Sequence, residues 1–319
     1  MTNFWTKLPP NFSVLAPMED VTDTVFRQVI IKAGRPDVFF TEFTNCDGIC
    51  SIGQAKLIHR FKYSKIERPI VAQIWGITPQ NYFDTAKICL ELGFDGIDIN
   101  MGCPERNVTK TGACSALINN HTLAKEIIDS VQDAVNGSIP ISVKTRIGFN
   151  EIVTEEWISF LLNQNIQALT VHGRTVKELS DTPNHFDQIE LAVKLKNKIN
   201  PRVIIIANGD IMDQKQGVDL CNAISSDGYM IGRGVFTNPW CFNPNINIEA
   251  ITKEDRIELM KYHLILWKDT WGENKHYPKL KKYFKIYIQS FVNAVELRVK
   301  YMETKTVDEA IRLLGVGTV

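Results

Sequence analysis

No apolar run in the 319 residues approaches the roughly 18–20 that a membrane-spanning helix needs. Met1 to Pro10 has one lysine and no apolar centre, so no secretory signal is read there and no membrane partner is expected. Neither charge is in excess, since 36 Lys+Arg balance 36 Asp+Glu. That excludes a surface wholly committed to nucleic acid, but not a local basic face. No Cys-x-x-Cys pair occurs among the seven cysteines, an odd number scattered along the chain. Cys46 and Cys50 lie four apart without a neighbouring His or Cys to complete a zinc set. No metal is expected, and the thiols read as reduced, in a cytoplasmic protein. Nor is there a Gly-x-Gly-x-x-Gly loop after the first strand, where Pro17-Met18-Glu19-Asp20 stands instead. An open dinucleotide-binding sheet would carry such a loop.

What is present is alternation. Short β-type runs are predicted at Val14–Ala16, Asp37–Glu42, Ile70–Ile74, Gly96–Asn100, Ile141–Thr145, Ala168–His172, Val203–Ala207 and Gly228–Ile231. Runs such as Val203-Ile204-Ile205-Ile206-Ala207 suit parallel strands buried on both faces. Helical patterns lie between them. One starts at Thr78-Pro79 and stops at Gly93, and another covers about Leu123 to Val135. Eight strands with intervening helices predict an α/β fold, a (β/α)8 TIM barrel, over residues 1–242.

After Pro239 the pattern changes, and Asn243-Pro244-Asn245 reads as a linker. Ile257, Met260, Leu264, Trp267 and Trp271 fall at helical spacing, as do Phe284, Tyr287, Ile288, Phe291 and Val295. Thr306 with Glu309 forms a capping-box pattern for a last helix. Residues 243–319 are therefore predicted as a small helical domain. Residues 251–319 hold 13 Lys+Arg against 9 Asp+Glu, and the basic residues crowd between Lys275 and Lys300. Lys279, Lys281, Lys282 and Lys285 interleave with Tyr277, Tyr283 and Tyr287, which suits contacts to a phosphate backbone. The plainer alternative is a solvated helix face over an aromatic core.

In a TIM barrel, chemistry belongs at the C-terminal ends of the strands. Those ends carry Pro17-Met18, Glu42, Gln73, Asn100, Lys144 with Arg146, His172 with Arg174, Asn208-Gly209-Asp210 and Gly232-Arg233. The last two loops suit a phosphate, through backbone N–H groups and the Arg233 charge. A lysine in the mouth is costly to bury without an anion. Schiff-base chemistry or stabilisation of a reduced flavin are both open to Lys144. Gln73 offers a donor and an acceptor to a ring edge. Cys103, between Gly102 and Pro104 in the loop after the fourth strand, is placed to be a general acid or a nucleophile. Cys114, in Thr111-Gly112-Ala113-Cys114-Ser115, leaves a second reactive thiol open.

These blocks resemble a known family. They are Leu15-Ala16-Pro17-Met18, Thr22-Asp23, Phe26-Arg27, Gln73-Ile74, Asp98-Ile99-Asn100-Met101-Gly102-Cys103-Pro104, Val143-Lys144-Thr145-Arg146, His172-Gly173-Arg174-Thr175, Asn208-Gly209-Asp210 and Gly232-Arg233-Gly234. Taken in order over about residues 13–240, they look like the tRNA-dihydrouridine synthases. The resemblance implies an FMN oxidoreductase that reduces the 5,6 double bond of a uridine in the D-arm of tRNA, with NADPH (or NADH) as transient hydride donor. It implies that Pro17, Met18 and Glu19 line the flavin, Gln73 meets its ring, Lys144 its N1/C2 side and His172 its outer part. By the same resemblance, Asn208, Gly209, Asp210, Gly232 and Arg233 hold the cofactor phosphate. Cys103 would be the proton donor, with Asn100, Arg146 and Arg174 near the substrate. The acids Glu19 and Asp20 depart from the small residues common at those positions. A cytoplasmic monomer is expected. The rivals are an FMN-dependent dihydroorotate or dihydropyrimidine dehydrogenase acting on a free pyrimidine, and a non-catalytic RNA-binding barrel.

Overall fold

A computed structural model describes residues 3–316. The outermost residues of both predicted domains, 1–2 and 317–319, lie outside the described residues. Eight parallel strands form the barrel: β1 (Phe12–Leu15), β2 (Val38–Phe40), β3 (Ile70–Trp75), β4 (Gly96–Met101), β5 (Ile141–Arg146), β6 (Ala168–His172), β7 (Ile204–Asn208) and β8 (Gly228–Ile231). Each pairs with the next, and β8 pairs with β1 in the register Val14↔Met230, which closes the cylinder. The predicted second strand is shorter than its apolar run. It ends at Phe40, and a two-residue strand, Thr44–Asn45, then lies along Ile74 and Trp75.

Side-chain alternation divides the barrel into two environments. Leu15, Phe39, Ile97, Val143, Leu169 and Ile205 face outward into the layer of helices. Phe12, Val14, Phe40, Val71, Ala168, Ile206 and Met230 form a separate inner cluster with Trp5. Trp5 sits in the 3₁₀ turn Phe4–Lys7, with its ring 5.9 Å from that of Phe12, and seals the N-terminal end. Further along the strands the inward positions become polar: Gln73, Asp98, Asn100, Ser142, Lys144, His172 and Asn208. One end of the cylinder is thus a dry plug and the other a polar mouth.

The surrounding helices begin and end where their caps dictate. Asn120 accepts from Leu123 N at 3.1 Å at the start of helix His121–Val135, and Asn136 ends it in the left-handed conformation. Pro79 opens helix Pro79–Glu91, and Gly93, at φ 76, follows its end.

After a loop at 243–252, helix Lys253–Trp271 starts from a capping box of Thr252 and Asp255. It packs on helix Thr24–Ala33, and its Leu259, Met260, Leu264 and Trp267 join the same apolar core as Phe26 and Ile30 of the barrel. The two predicted domains therefore share one interior. The periodicity of Phe284 to Val295 predicts one helix, and the structure breaks it. Helix Phe284–Tyr287 stops, Ser290 and Asn293 take φ 65 and 61, and helix Ala294–Glu303 follows. Ile286, Tyr287 and Ile288 are buried in succession, which one amphipathic helix face cannot achieve. Val292 and Val295 are exposed. The last helix, Val307–Val316, begins as predicted, with Thr306 Oγ1 accepting from Glu309 N at 3.2 Å.

Candidate active site

The polar mouth holds two adjoining cavities. The first, of about 410 Å³, lies over β1, β7 and β8 and is lined by Pro17, Met18, Lys144, His172, Asn208 to Met212 and Gly232 to Gly234. It gathers most of the residues predicted to hold a cofactor. Asn208 Nδ2 donates to Met230 O at 2.9 Å, tying β7 to β8 beneath it. Gly209 has φ 116, and a Cβ there would come within 2.0 Å of Asn184 Oδ1, so both conformation and space require glycine. Asp210, at φ 53, turns its carboxylate to Arg174 and to Arg233, the latter at 3.2 Å. That acid is thereby neutralised, and Lys144 and Arg233 leave the wall cationic.

Electrostatics in this cavity follow from burial among cations. Burial lowers the Lys144 ammonium to about 8, and Arg146 pushes in the same direction. His172 is held well below the ordinary imidazole range by burial and by Lys144, Arg146, Arg174 and Arg233. It is therefore neutral at pH 7.

Beneath the mouth runs a hydrogen-bonded chain. Ser142 Oγ donates to Asp98 Oδ1 at 2.6 Å, and Gln73 Nε2 donates to Asp98 Oδ2 at 2.7 Å. Asn100 Nδ2 donates to Gln73 Oε1 at 3.1 Å, while Asn100 Oδ1 accepts from Gly102 N and Cys103 N, both at 3.0 Å. Burial raises Asp98 to about 6. Gln73 thus commits one N–H and one lone pair to its neighbours. The loop carrying Cys103 is fixed from below by Asn100. Arg146 fixes it from the side, donating to Gly102 O at 2.9 Å and to Thr175 O at 3.0 Å. Burial lowers Arg146 to about 10.

The second cavity, of about 730 Å³, is lined by Glu19, Phe43, Trp75, Cys103, Pro104 and Leu179, among others. Cys103 is half-buried on its wall. A hydrogen bond with the Cys114 thiol lowers Cys103 to about 7, against the effect of burial. Cys114 itself is buried and pushed well above the ordinary thiol range. Glu19 lies on this cavity rather than on the first, paired with Arg60 at 2.5 Å.

The remaining predicted residues fall into two groups. Arg174 is spent on protein partners: Nε donates to Thr182 O at 2.7 Å, and Nη2 meets Asp210. Two basic residues of the helical segment, Lys279 and Lys282, reach the loop after β1. Lys279 pairs with Asp20 at 2.7 Å, Lys282 donates to Asp20 O, and Tyr283 Oη donates to Val21 O at 2.7 Å. Lys281 donates to Met302 O at 2.7 Å, and Lys285 is exposed. Asp20 is two residues from Met18, so this basic segment lies against the mouth. The unusual acid at position 20 is explained by its lysine partners.

Three features were not read from the sequence. Asp98 lies inside an apolar run, and nothing local marks it as the centre of a network. Asp23 pairs with Lys275 at 2.6 Å, both side chains nearly inaccessible. Phe43 and Trp75 give the second cavity an aromatic wall. The alternation Ile74-Trp75-Gly76 carried no signal for it.

The chain matches the family model described as "Dihydrouridine synthase (Dus)" over residues 14–316. It is 44% identical to "Probable tRNA-dihydrouridine synthase 2" of Bacillus subtilis (strain 168) over 315 residues, covering 98% of this chain and 95% of that protein. It is 42% identical to "Probable tRNA-dihydrouridine synthase" of Staphylococcus aureus (strain COL), covering 98% and 94%. Among solved structures, histamine dehydrogenase from Rhizobium sp. 4-9 superposes with a TM-score of 0.55 at 11% identity over 80% of this chain. A 2-naphthoyl-CoA reductase does so with 0.58 at 10% identity over 73%. This chain spans about half of each of those two (49%), and at such identities they speak to the barrel fold alone. With the family model and the curated relatives running nearly end to end, the chain belongs to the dihydrouridine synthase family.

Proposed function

We propose that this protein reduces the 5,6 double bond of a uridine in the D-arm of tRNA, using FMN in the barrel mouth and NADPH as the source of hydride. It acts as a monomer in the cytoplasm. The observation that carries the reading is the half-buried Cys103 thiol, on the wall of a cavity at the same end of the barrel as the cationic cradle.

The residues present fit an anionic, planar group with a phosphate tail. Asp210, an acid of the cradle, is already paired. A Cβ at Gly232 would meet nothing closer than Ala16 Cβ at 3.6 Å, so the wall there is open to a bulky group. Arg233 and the backbone of Gly209 and Gly232 would hold the phosphate. Lys144 would supply positive charge to the ring, and Gln73, buried below the first cavity, would support the site from beneath through Asp98 and Asn100. His172, being neutral, adds no charge against a cation and can hydrogen-bond the ribityl side. Pro17 and Met18 close the apolar face. Held there, FMN would supply hydride chemistry for the uracil C5–C6 double bond.

Negative charge then develops at C5 and O4 of the base. Cys103 gives its proton to C5, and its position near pH 7 matches the transfer to the working pH. Asn100 aims the loop by binding two of its N–H groups. Arg146 and Arg174 shape the substrate opening. Arg146 keeps Nη2 without a protein hydrogen bond among the described residues. The uridine must leave its stack to reach this thiol, at a cost of a few kcal/mol. Lys281 and Lys285 would offset that cost by binding RNA phosphates beside the mouth, while Lys279 and Lys282 brace the loop after β1. An enzyme of free pyrimidines would have no use for such a segment.

The experiment is direct. Purified protein loaded with FMN, given NADPH and tRNA lacking dihydrouridine, should form dihydrouridine in the D-arm. Failure with a flavin that NADPH still reduces would remove tRNA uridine as the substrate.

A further inference from the structure

Phe43 and Trp75 are half-buried, and among the described residues they pack into neither apolar core of the barrel. The backbone puts them on neighbouring strands. Trp75 ends β3 two residues beyond the inward-facing Gln73, so it continues the same face. The two-residue strand Thr44–Asn45 lies along Ile74 and Trp75, and Phe43 immediately precedes it. Both side chains line the cavity of about 730 Å³ that Cys103 also lines. Large aromatic rings stabilise a fold by being buried, so leaving two of them on a cavity wall is not explained by folding.

The size and charge of this cavity narrow what the wall is for. Pockets of about 300–1,000 Å³ enclose drug-sized ligands, and this one has more room than a single pyrimidine ring requires. Its charged lining residues are Glu19, Glu105 and Arg106, two acids against one cation. Lys144 and Arg233 line the other cavity. Phosphate is therefore favoured there and disfavoured here, where an uncharged planar group fits better. RNA carries such a group next to the uridine. Extruding one nucleotide unstacks its neighbours, and an aromatic wall beside the point of entry gives one of them a new stacking partner.

We infer that Phe43 and Trp75 form a stacking site for a base adjacent to the reduced uridine in the same RNA. The inference rests on the function proposed above, because it starts from a uridine at Cys103. The pair acts in positioning: it holds the flanking nucleotide so that the uridine stays extruded.

The test measures binding of tRNA to the full-length, FMN-loaded protein. The tRNA is assembled from synthetic pieces, with an abasic residue placed in turn at each D-loop position. Stacking of one base on an aromatic ring contributes about 5- to 150-fold in affinity, equivalent to about 1–3 kcal/mol. Trp75→Ala should weaken binding of intact tRNA by that factor, and Trp75→Phe should retain most of the affinity. One abasic position next to the reduced uridine should weaken binding to wild type by a similar factor and cost nothing further in Trp75→Ala. Phe43→Ala should show the same coupling, so the test does not hang on one variant folding. Flavin content and reduction by NADPH should be unchanged throughout. Losses that multiply at every flanking position would overturn the inference. So would coupling confined to the reduced uridine itself, which would make the wall part of that base's own site. Slower flavin reduction by NADPH with tRNA binding intact would also overturn it, by assigning the wall to the nicotinamide. Wild-type protein that binds tRNA but forms no dihydrouridine would overturn the proposed function and this inference with it, whereas the earlier outcomes in an active enzyme overturn the inference alone.

Discussion

Lys275→Met tests how the helical segment is fastened to the barrel. Asp23 Oδ1 caps helix Thr24–Ala33 by accepting from Phe26 N at 2.9 Å, and Oδ2 accepts from Lys275 Nζ at 2.6 Å and Trp271 Nε1 at 3.1 Å. The side chains of Lys275 and Asp23 are 8% and 3% exposed, so solvent cannot replace the lost ammonium. Removing one member of a buried pair costs about 3–5 kcal/mol. The two remaining donors to Asp23 offset about 1 kcal/mol of that. A net loss of about 2–4 kcal/mol should lower the thermal midpoint by roughly 3–6 °C. The sign of the pH dependence separates this cause from simple loss of packing. In the parent, burial pushes Asp23 up, but Lys275 and the Phe26 N–H hold it below the ordinary carboxylate range. Its contribution is present above the unfolded value near 3.9 and is lost as pH falls through the lower folded value. In the variant burial is opposed only by the Phe26 and Trp271 N–H groups, so the folded value rises and protonation relieves the site. Glu42, already raised by burial and by Asp23, moves the same way, because Lys275 no longer lowers it. Urea denaturation at pH 7 and pH 5 should therefore show a deficit that shrinks on acidification. An equal deficit at both pH values, or one below about 1 kcal/mol, would refute the reasoning.

Other outcomes are equally specific. Lys144→Met should weaken FMN binding and give a flavin whose reduced, anionic form is less favoured, read as a lower reduction potential; an unchanged potential would place the ammonium away from the ring. Asp98→Asn should leave the barrel folded but loosen Gln73 and the Cys103 loop, so FMN dissociation should rise about tenfold, the effect of about 1.4 kcal/mol. Neutralising Lys281 and Lys285 together should reduce the salt dependence of tRNA binding by about 1.4–1.8 in logarithmic slope. The same change at Lys279 and Lys282 should also lower the thermal midpoint, because those two brace the loop after β1.

The barrel was legible because parallel strands buried on both faces leave dense apolar runs, and the polar residues at their ends alternate inward. Gln73, Lys144, His172 and Asn208 were found in this way, each inward-facing at the mouth end of its strand. What escaped the sequence depended on partners far along the chain. Lys279 and Lys282 read as free cations for RNA, yet their partner Asp20 lies 259 and 262 residues away. Lys275 reads as surface charge, and its partner lies 252 residues away. Apolar spacing from Phe284 to Val295 predicts a helix because periodicity registers apolar character alone. It does not register that Ser290 and Asn293 adopt left-handed backbone and turn the last valines to solvent.

The proposed function rests on delivery of a proton from the Cys103 thiol to a uridine brought into the barrel mouth. Stopped-flow oxidation of NADPH-reduced enzyme by tRNA lacking dihydrouridine, in wild type and in Cys103→Ala, tests it most directly. Equal reduction by NADPH is expected in both proteins, with flavin reoxidation by tRNA slowed about 10²–10⁴-fold in the variant. Reoxidation at the wild-type rate in Cys103→Ala, with dihydrouridine formed, would contradict it.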